Sequence, residues 1–135
     1  MVDTFFIEQT YETPKVQINF VEGVFSIKGR VIPEEVDTFW SGITENIFKI
    51  DTEKELTVKL KIDYLNISSS KKLLYLLYDL EKTYKKIKVM WYYEEYDEDM
   101  YEVGRDYEHM VSIPFIFKKK KQKMLEGSGT LKWKI

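Results

Sequence analysis

The stretch DYLNISSSKKLLYLLYDL, residues 63–80, passes from the end of one regular element directly into another. Apolar and polar residues alternate over 56–65, which is typical of a strand with one covered face. Leucines then recur at helical spacing, which predicts a helix over 69–85. Asn66 and three serines, Ser68–Ser70, lie where the strand ends and the helix begins.

The rest of the chain repeats this order of strand and helix. Further strands are predicted at 4–9, 15–20, 23–28, 86–93 and 113–117, and further helices at 34–48 and 97–110. Right-handed crossovers then make the last three strands largely parallel, while the turn at 22–23 favours an antiparallel hairpin. The sequence therefore predicts one α/β domain, with a mixed sheet, an N-terminal antiparallel hairpin, βαβ units and a central strand at 56–65.

Composition limits the classes of protein to which the chain can belong. Its 135 residues are 44% hydrophobic and 33% charged, as expected for one globular domain. The absence of cysteine excludes disulfides and thiolate chemistry. No apolar stretch approaches the ~20 residues of a membrane span, and none resembles a signal peptide. We therefore expect a cytoplasmic protein with no cofactor.

Charge is distributed unevenly along the chain. Residues 1–117 contain 14 basic and 22 acidic side chains, whereas residues 118–135 contain seven lysines and one glutamate. We predict one domain over 1–117 and a basic extension over 118–135, with a short hairpin turning at 127–129. One interpretation of this segment is that its lysines protect an edge of the sheet from pairing with another chain. An alternative function is binding to nucleic acid or an anionic surface through Lys118–Lys123, with Trp133 as a stacking group.

The three serines at 68–70 have two interpretations. Ser and Asn are preferred helix caps, because a side-chain oxygen accepts a hydrogen bond from a first-turn N–H. The other interpretation is phosphorylation, since a helix N-terminus favours the added negative charge. Lys71 and Lys72 would then be counter-charges. A catalytic serine is disfavoured, because His109 is the one histidine and no glycine elbow frames the serines.

A second cluster is acidic. Six carboxylates occur within nine residues, at Glu94, Glu95, Asp97, Glu98, Asp99 and Glu102. Most of them are close neighbours in sequence, so on a helix they point in different directions and do not converge on a metal ion. The run is typical of a solvated helix start or a protein-docking surface; a Mg²⁺ site is the weaker interpretation.

Three segments carry a family resemblance: IKGRVIPEEVDTFW (27–40), DYLNISSSKKLLYLLYDLE (63–81) and VMWYYEEYDEDMYEVGRDYEHMVSIPF (89–115). Together they resemble the SiaC-family regulatory phosphoproteins over about residues 14–117. The resemblance implies a small bacterial switch protein with a fold similar to anti-sigma-factor antagonists. It also implies phosphorylation by a partner kinase, dephosphorylation by a phosphatase, and activation of a diguanylate cyclase by the unphosphorylated form.

The resemblance includes one departure. The family's phosphorylated residue is typically a Thr directly after the Asn of this turn, and Ile67 occupies that place. Either Ser68, one residue along, has taken over this role, or this member is not switched by phosphorylation. In both cases we predict a non-enzymatic regulatory module. The predicted phosphorylation candidates are Ser68, Ser69 and Ser70. The predicted partner-binding residues are Asn66, Ile67, Lys71, Lys72, Glu94, Glu95 and Asp97.

Overall fold

Six strands form one sheet in the computed structural model, which describes residues 3–121. The strands are β1 (Thr4–Ile7), β2 (Lys15–Asn19), β3 (Val24–Val31), β4 (Leu56–Leu65), β5 (Ile87–Glu94) and β6 (Phe115–Lys120). They lie side by side in sequence order. The pairs β1–β2 and β2–β3 are antiparallel, and the pairs from β3 to β6 are parallel. The predicted mixed sheet, hairpin and βαβ units are confirmed, with β4 in the centre of the sheet.

Three helices connect the parallel strands: α1 (Val36–Ile47), α2 (Ile67–Thr83) and α3 (Glu98–Met110). They cover one face of the sheet. The buried side chains of one strand pair with buried side chains of the next strand, so all of them point to the same face. Val58 of β4 pairs with Val89 of β5, and Leu60 pairs with Trp91; all four are fully buried. The residues between them, such as Lys59 and Lys61, point to the opposite face, which no helix among residues 3–121 covers.

The core under α3 is centred on Trp91. Its indole N–H donates to the carbonyl of Met100, at 3.1 Å, and its ring lies 5.6 Å from that of Tyr107. Gly104 lies directly against the indole, so its missing side chain creates the space that Trp91 fills. This contact holds α3 against β5.

The boundaries of several elements differ from the predicted ones. Helix α2 begins at Ile67, two residues earlier than expected, because Asn66 and not a serine is its N-cap. Strand β6 continues to Lys120, so the first lysines of the basic segment belong to the sheet. The predicted hairpin at 127–129 and most of the extension lie outside the described residues.

Tyr64 also differs from its prediction. The alternation along β4 predicts a covered side chain, yet 60% of Tyr64 is exposed. The register between β3 and β4 shifts at Gly29 and Arg30, so that Arg30 pairs with Tyr64. The guanidinium of Arg30 lies 4.9 Å from the centre of the Tyr64 ring, which therefore packs under a cation near the end of the strand.

The contact between Gly104 and Trp91 predicts that Gly104→Ala destabilises the protein. A Cβ at position 104 would lie 2.5 Å from the indole nitrogen and would force the buried ring to move. Overpacking of this kind lowers the free energy of unfolding by about 1–3 kcal/mol, measurable by urea denaturation. Gly42→Ala is the matched control, because nothing lies within 4 Å of its added Cβ. It should stabilise helix α1 by up to about 1 kcal/mol; equal effects of the two variants would contradict this packing.

Candidate partner-binding site at the start of helix α2

Helices α2 and α3 begin at the same edge of the sheet, where the parallel strands β4 and β5 end. In open α/β sheets, binding sites gather at this edge. Asn66 caps α2, since its side-chain oxygen accepts from the backbone N–H of Ser69 at 2.9 Å. Asp97 caps α3 in the same way, accepting from the N–H of Met100 at 3.0 Å. These two predicted partner-binding residues therefore have a structural role as helix caps.

The three serines lie in different environments. Ser68 is exposed, whereas Ser69 is fully buried and its hydroxyl accepts a hydrogen bond from the indole N–H of Trp40 at 3.0 Å. The Ser70 hydroxyl is half-buried and donates to the carbonyl of Ile67 at 2.7 Å. Of the three predicted phosphorylation candidates, Ser69 therefore faces the core and not the solvent. Because α2 starts at residue 67, Ser69 falls in line with the buried Leu73, one helical turn later.

Two aromatic residues hold the first turn of α2 from either side. Trp40 reaches Ser69 from α1, and the hydroxyl of Tyr107 in α3 donates to the carbonyl of Ser70 at 2.8 Å. Burial raises the pKa of the Tyr107 phenol, so this group stays a neutral donor at physiological pH. Sequence reasoning missed both residues; the available signal was that buried Trp and Tyr need partners for their polar atoms.

The outward side of α2 carries both apolar and polar groups. Ile67 is 77% exposed and Tyr75 is 59% exposed, and both lie on the face that also presents Ser68 and Lys71. A partner that docks on this face of α2 would cover both side chains. Tyr75 was not among the predicted residues, although its spacing of seven from Ser68 places it on the same face.

Lys72 points towards α1. Its ammonium lies 2.8 Å from the carboxylate of Asp37, and both side chains are substantially exposed. An ion pair in such a position contributes about 0–1 kcal/mol, so it breaks easily when a stronger anion approaches. Lys72 is therefore available to a negative charge at the start of α2.

The acidic run follows β5 at the same edge. The Glu94 carboxylate lies 3.9 Å from the ammonium of Lys120, and Glu95 is exposed. Tyr96, which sequence reasoning missed, is 69% exposed between them and the Asp97 cap. Among residues 3–121, no group of three or more His or acidic side chains is arranged to hold a metal ion. Over the same residues, no helix is long and apolar enough to span a membrane.

Comparison with known proteins identifies the family. A model described as SiaC family regulatory phosphoprotein matches residues 7–120. The chain belongs to this family. Membership places it among bacterial regulatory proteins and not among enzymes, as the resemblance of its sequence implied.

One protein sequence and two solved structures from Pseudomonas aeruginosa are similar to this chain. An uncharacterized protein of strain UCBPP-PA14 is 26% identical over 114 residues, which cover 81% of this chain and 90% of that protein. The crystal structure of apo-SiaC is 23% identical, has a TM-score of 0.73, and covers 87% of this chain and 99% of its own. The structure of the diguanylate cyclase SiaD with its activator SiaC matches at 22% identity and a TM-score of 0.77, covering 86% and 99%. The two structures confirm the fold.

The different environments of the serines predict different effects on stability. Ser69→Ala removes the acceptor of a buried indole N–H, so the free energy of unfolding should fall by about 1–3 kcal/mol. Ser68→Ala removes an exposed hydroxyl and should change it by less than about 0.5 kcal/mol. Chemical denaturation of both variants measures the difference. Equal stabilities would show that the Trp40–Ser69 contact does not support the fold.

Proposed function

We propose that this protein is a phosphorylation-controlled activator that docks a diguanylate cyclase through the start of α2. In the proposal, a kinase phosphorylates Ser68 and releases the cyclase, and a phosphatase restores docking. The exposed hydroxyl of Ser68, next to the exposed Ile67, is the observation that carries this proposal. Family membership and the complex of the relative SiaC with the cyclase SiaD support the class of partner.

Accessibility favours Ser68 over the other hydroxyls of this turn. A kinase must bring the γ-phosphate of ATP in line with the attacking oxygen. Ser69 is fully buried against Trp40, and the half-buried Ser70 donates back to the helix. Ile67 has no hydroxyl. Ser68 is thus the acceptor that a kinase can reach without unfolding the first turn of α2.

The electrostatics of the turn suit a phosphate on Ser68. Phosphorylation adds about −1.5 to −2 charges near neutral pH. The first-turn N–H groups and the positive end of the helix dipole stabilise an anion at this position. Lys71 and Lys72, three and four residues later, lie on the neighbouring turn. Lys72 can exchange its weak pair with Asp37 for the stronger charge of the phosphate.

The same charge explains how docking would be switched off. A partner that covers Ile67 also removes the Ser68 side chain from water. A neutral hydroxyl tolerates this with one hydrogen bond, whereas a dianion loses much of its hydration energy, which pairing with Lys71 and Lys72 replaces only in part. Phosphorylation would therefore weaken docking without changing the fold.

An assay of cyclase activation tests the proposal. Each diguanylate cyclase of the source genome is purified and its conversion of GTP to cyclic di-GMP is measured with and without this protein. We expect the unmodified protein to activate one of them. Ser68→Asp should bind that cyclase at least about tenfold more weakly, equivalent to about 1.4 kcal/mol.

The control is Ser41→Asp, which places the same charge on an exposed serine of another helix. It should activate as the wild type does, and urea denaturation should show that both variants are folded. The proposal is contradicted if no cyclase responds to the wild-type protein, or if Ser68→Asp activates as well as Ser41→Asp.

A further inference from the structure

The face of the sheet opposite the helices is basic, although the chain as a whole is acidic. Two residues of opposite charge, Asp63 and Glu94, occur among the outward-pointing side chains of its described strands. The lysines that point outward on this face are Lys15, Lys28, Lys59, Lys61, Lys88, Lys118 and Lys120. Seven of the nineteen lysines of a protein with a net charge of −2 thus lie on one surface.

Three of these lysines form a row across adjacent strands. Lys15 of β2 pairs with Lys28 of β3, which pairs with Lys61 of β4. Neighbouring strands lie about 4.8 Å apart, so the row brings like charges close together. Burial, and after it the positive charges of Lys28, Lys120, Lys59 and Lys15, lower the pKa of Lys61. An anion bound among them would relieve this repulsion.

Carboxylates neutralise this surface incompletely. Lys88 lies 3.8 Å from Glu55, and Lys120 lies 3.9 Å from Glu94. Within residues 3–121, Lys28 and Lys61 form no such pair. The ammonium of Lys61 instead lies 4.5 Å from the centre of the Tyr92 ring.

A cavity of about 380 Å³ opens where this face meets the carboxyl ends of β3, β4 and β5. Its volume falls within the range of small-molecule sites, and its position is where open α/β sheets bind ligands. The cations that line it are Lys28, Arg30, Lys61 and Lys120, and the rings include Tyr64 and Tyr92. Three carboxylates, Asp63, Glu94 and Asp97, line it as well.

We propose that this cavity binds a nucleotide, a small phosphate ester that carries an aromatic base. Lys28 and Lys61 are adjacent, have no carboxylate partner among the described residues, and provide the positive charge for the phosphate. When the Lys61 ammonium turns from the Tyr92 ring to the phosphate, that ring is open for a base to stack on it. Asp63 and Asp97 supply carboxylate oxygens that accept hydrogen bonds from the amino groups of a base.

The cavity also explains why a small ligand fits better than a protein partner. Protein interfaces are depleted in lysine and enriched in arginine. Here the surface contains seven lysines and one arginine, Arg30, at the end of β3. The Arg30 guanidinium already contacts the rings of Tyr11 and Tyr64. A long polyanion would use the whole lysine row, whereas a nucleotide needs the residues that line the cavity. Lys59 distinguishes the two, because it points to the same face and does not line the cavity.

Calorimetric titration with ATP, GTP, pyrophosphate and a single-stranded oligonucleotide tests the proposal. We expect a mononucleotide to bind at micromolar to millimolar concentration and pyrophosphate to bind more weakly, because it lacks the base. Lys61→Gln should weaken nucleotide binding by about tenfold or more, since a charge-assisted contact is lost. Lys61→Arg should restore part of it, and Lys59→Gln should change it by less than about twofold.

Two results would overturn the proposal. One is that neither ATP nor GTP binds at millimolar concentration to wild-type protein that circular dichroism shows to be folded. The other is tighter binding of the oligonucleotide, with Lys59→Gln and Lys61→Gln weakening it equally; that result would assign the face to a polyanion. The outcome is independent of cyclase docking, because neither lysine belongs to the start of α2.

Discussion

The buried hydrogen bond from Trp40 to Ser69 determines how the first turn of α2 is oriented. It joins α1 to α2, and the contact of Tyr107 with the Ser70 carbonyl joins α3 to the same turn. With Ser69 directed into the core, the geometry of a helix directs Ser68 and Ile67 outward. Exposure of the proposed phosphorylation site is therefore a consequence of how its neighbour is buried.

Because all three helices lie on one face of the sheet, the two proposed sites lie on its two sides and meet at the carboxyl edge, where Asp97 lines the cavity. The starts of α2 and α3 gather Ile67, Ser68 and the acidic run at the carboxyl edge. The opposite face is free of helices in the described part of the chain, and its outward positions carry lysines where a two-sided sheet would need apolar residues. One strand, β4, contributes to both sites, because its end leads into α2 while Lys61 points to the open face. An acidic edge and a basic face therefore coexist in a small domain.

Much of this architecture was predictable because its signals are local. The alternation along 56–65 and the leucine spacing after it correctly predicted β4, α2 and the parallel crossovers. The start of α2 was predicted two residues too late. Asn66, Ser68 and Ser69 are all good N-cap residues, and local propensity does not rank them. Burial of Ser69 depends on Trp40, 29 residues away, so no local pattern reveals it. Tyr64 was misassigned for a similar reason, since its exposure follows from a register shift against β3.

The central claim is that Ser68 is the phosphorylated residue, and site-localised mass spectrometry tests it most directly. The protein is purified from its own cells with phosphatase inhibitors present, and peptides covering residues 66–72 are fragmented to assign the phosphate. The account predicts a single phosphate on Ser68 in a fraction of the molecules. A phosphate on the buried Ser69, or an unmodified turn in cells whose kinase is active, would contradict it.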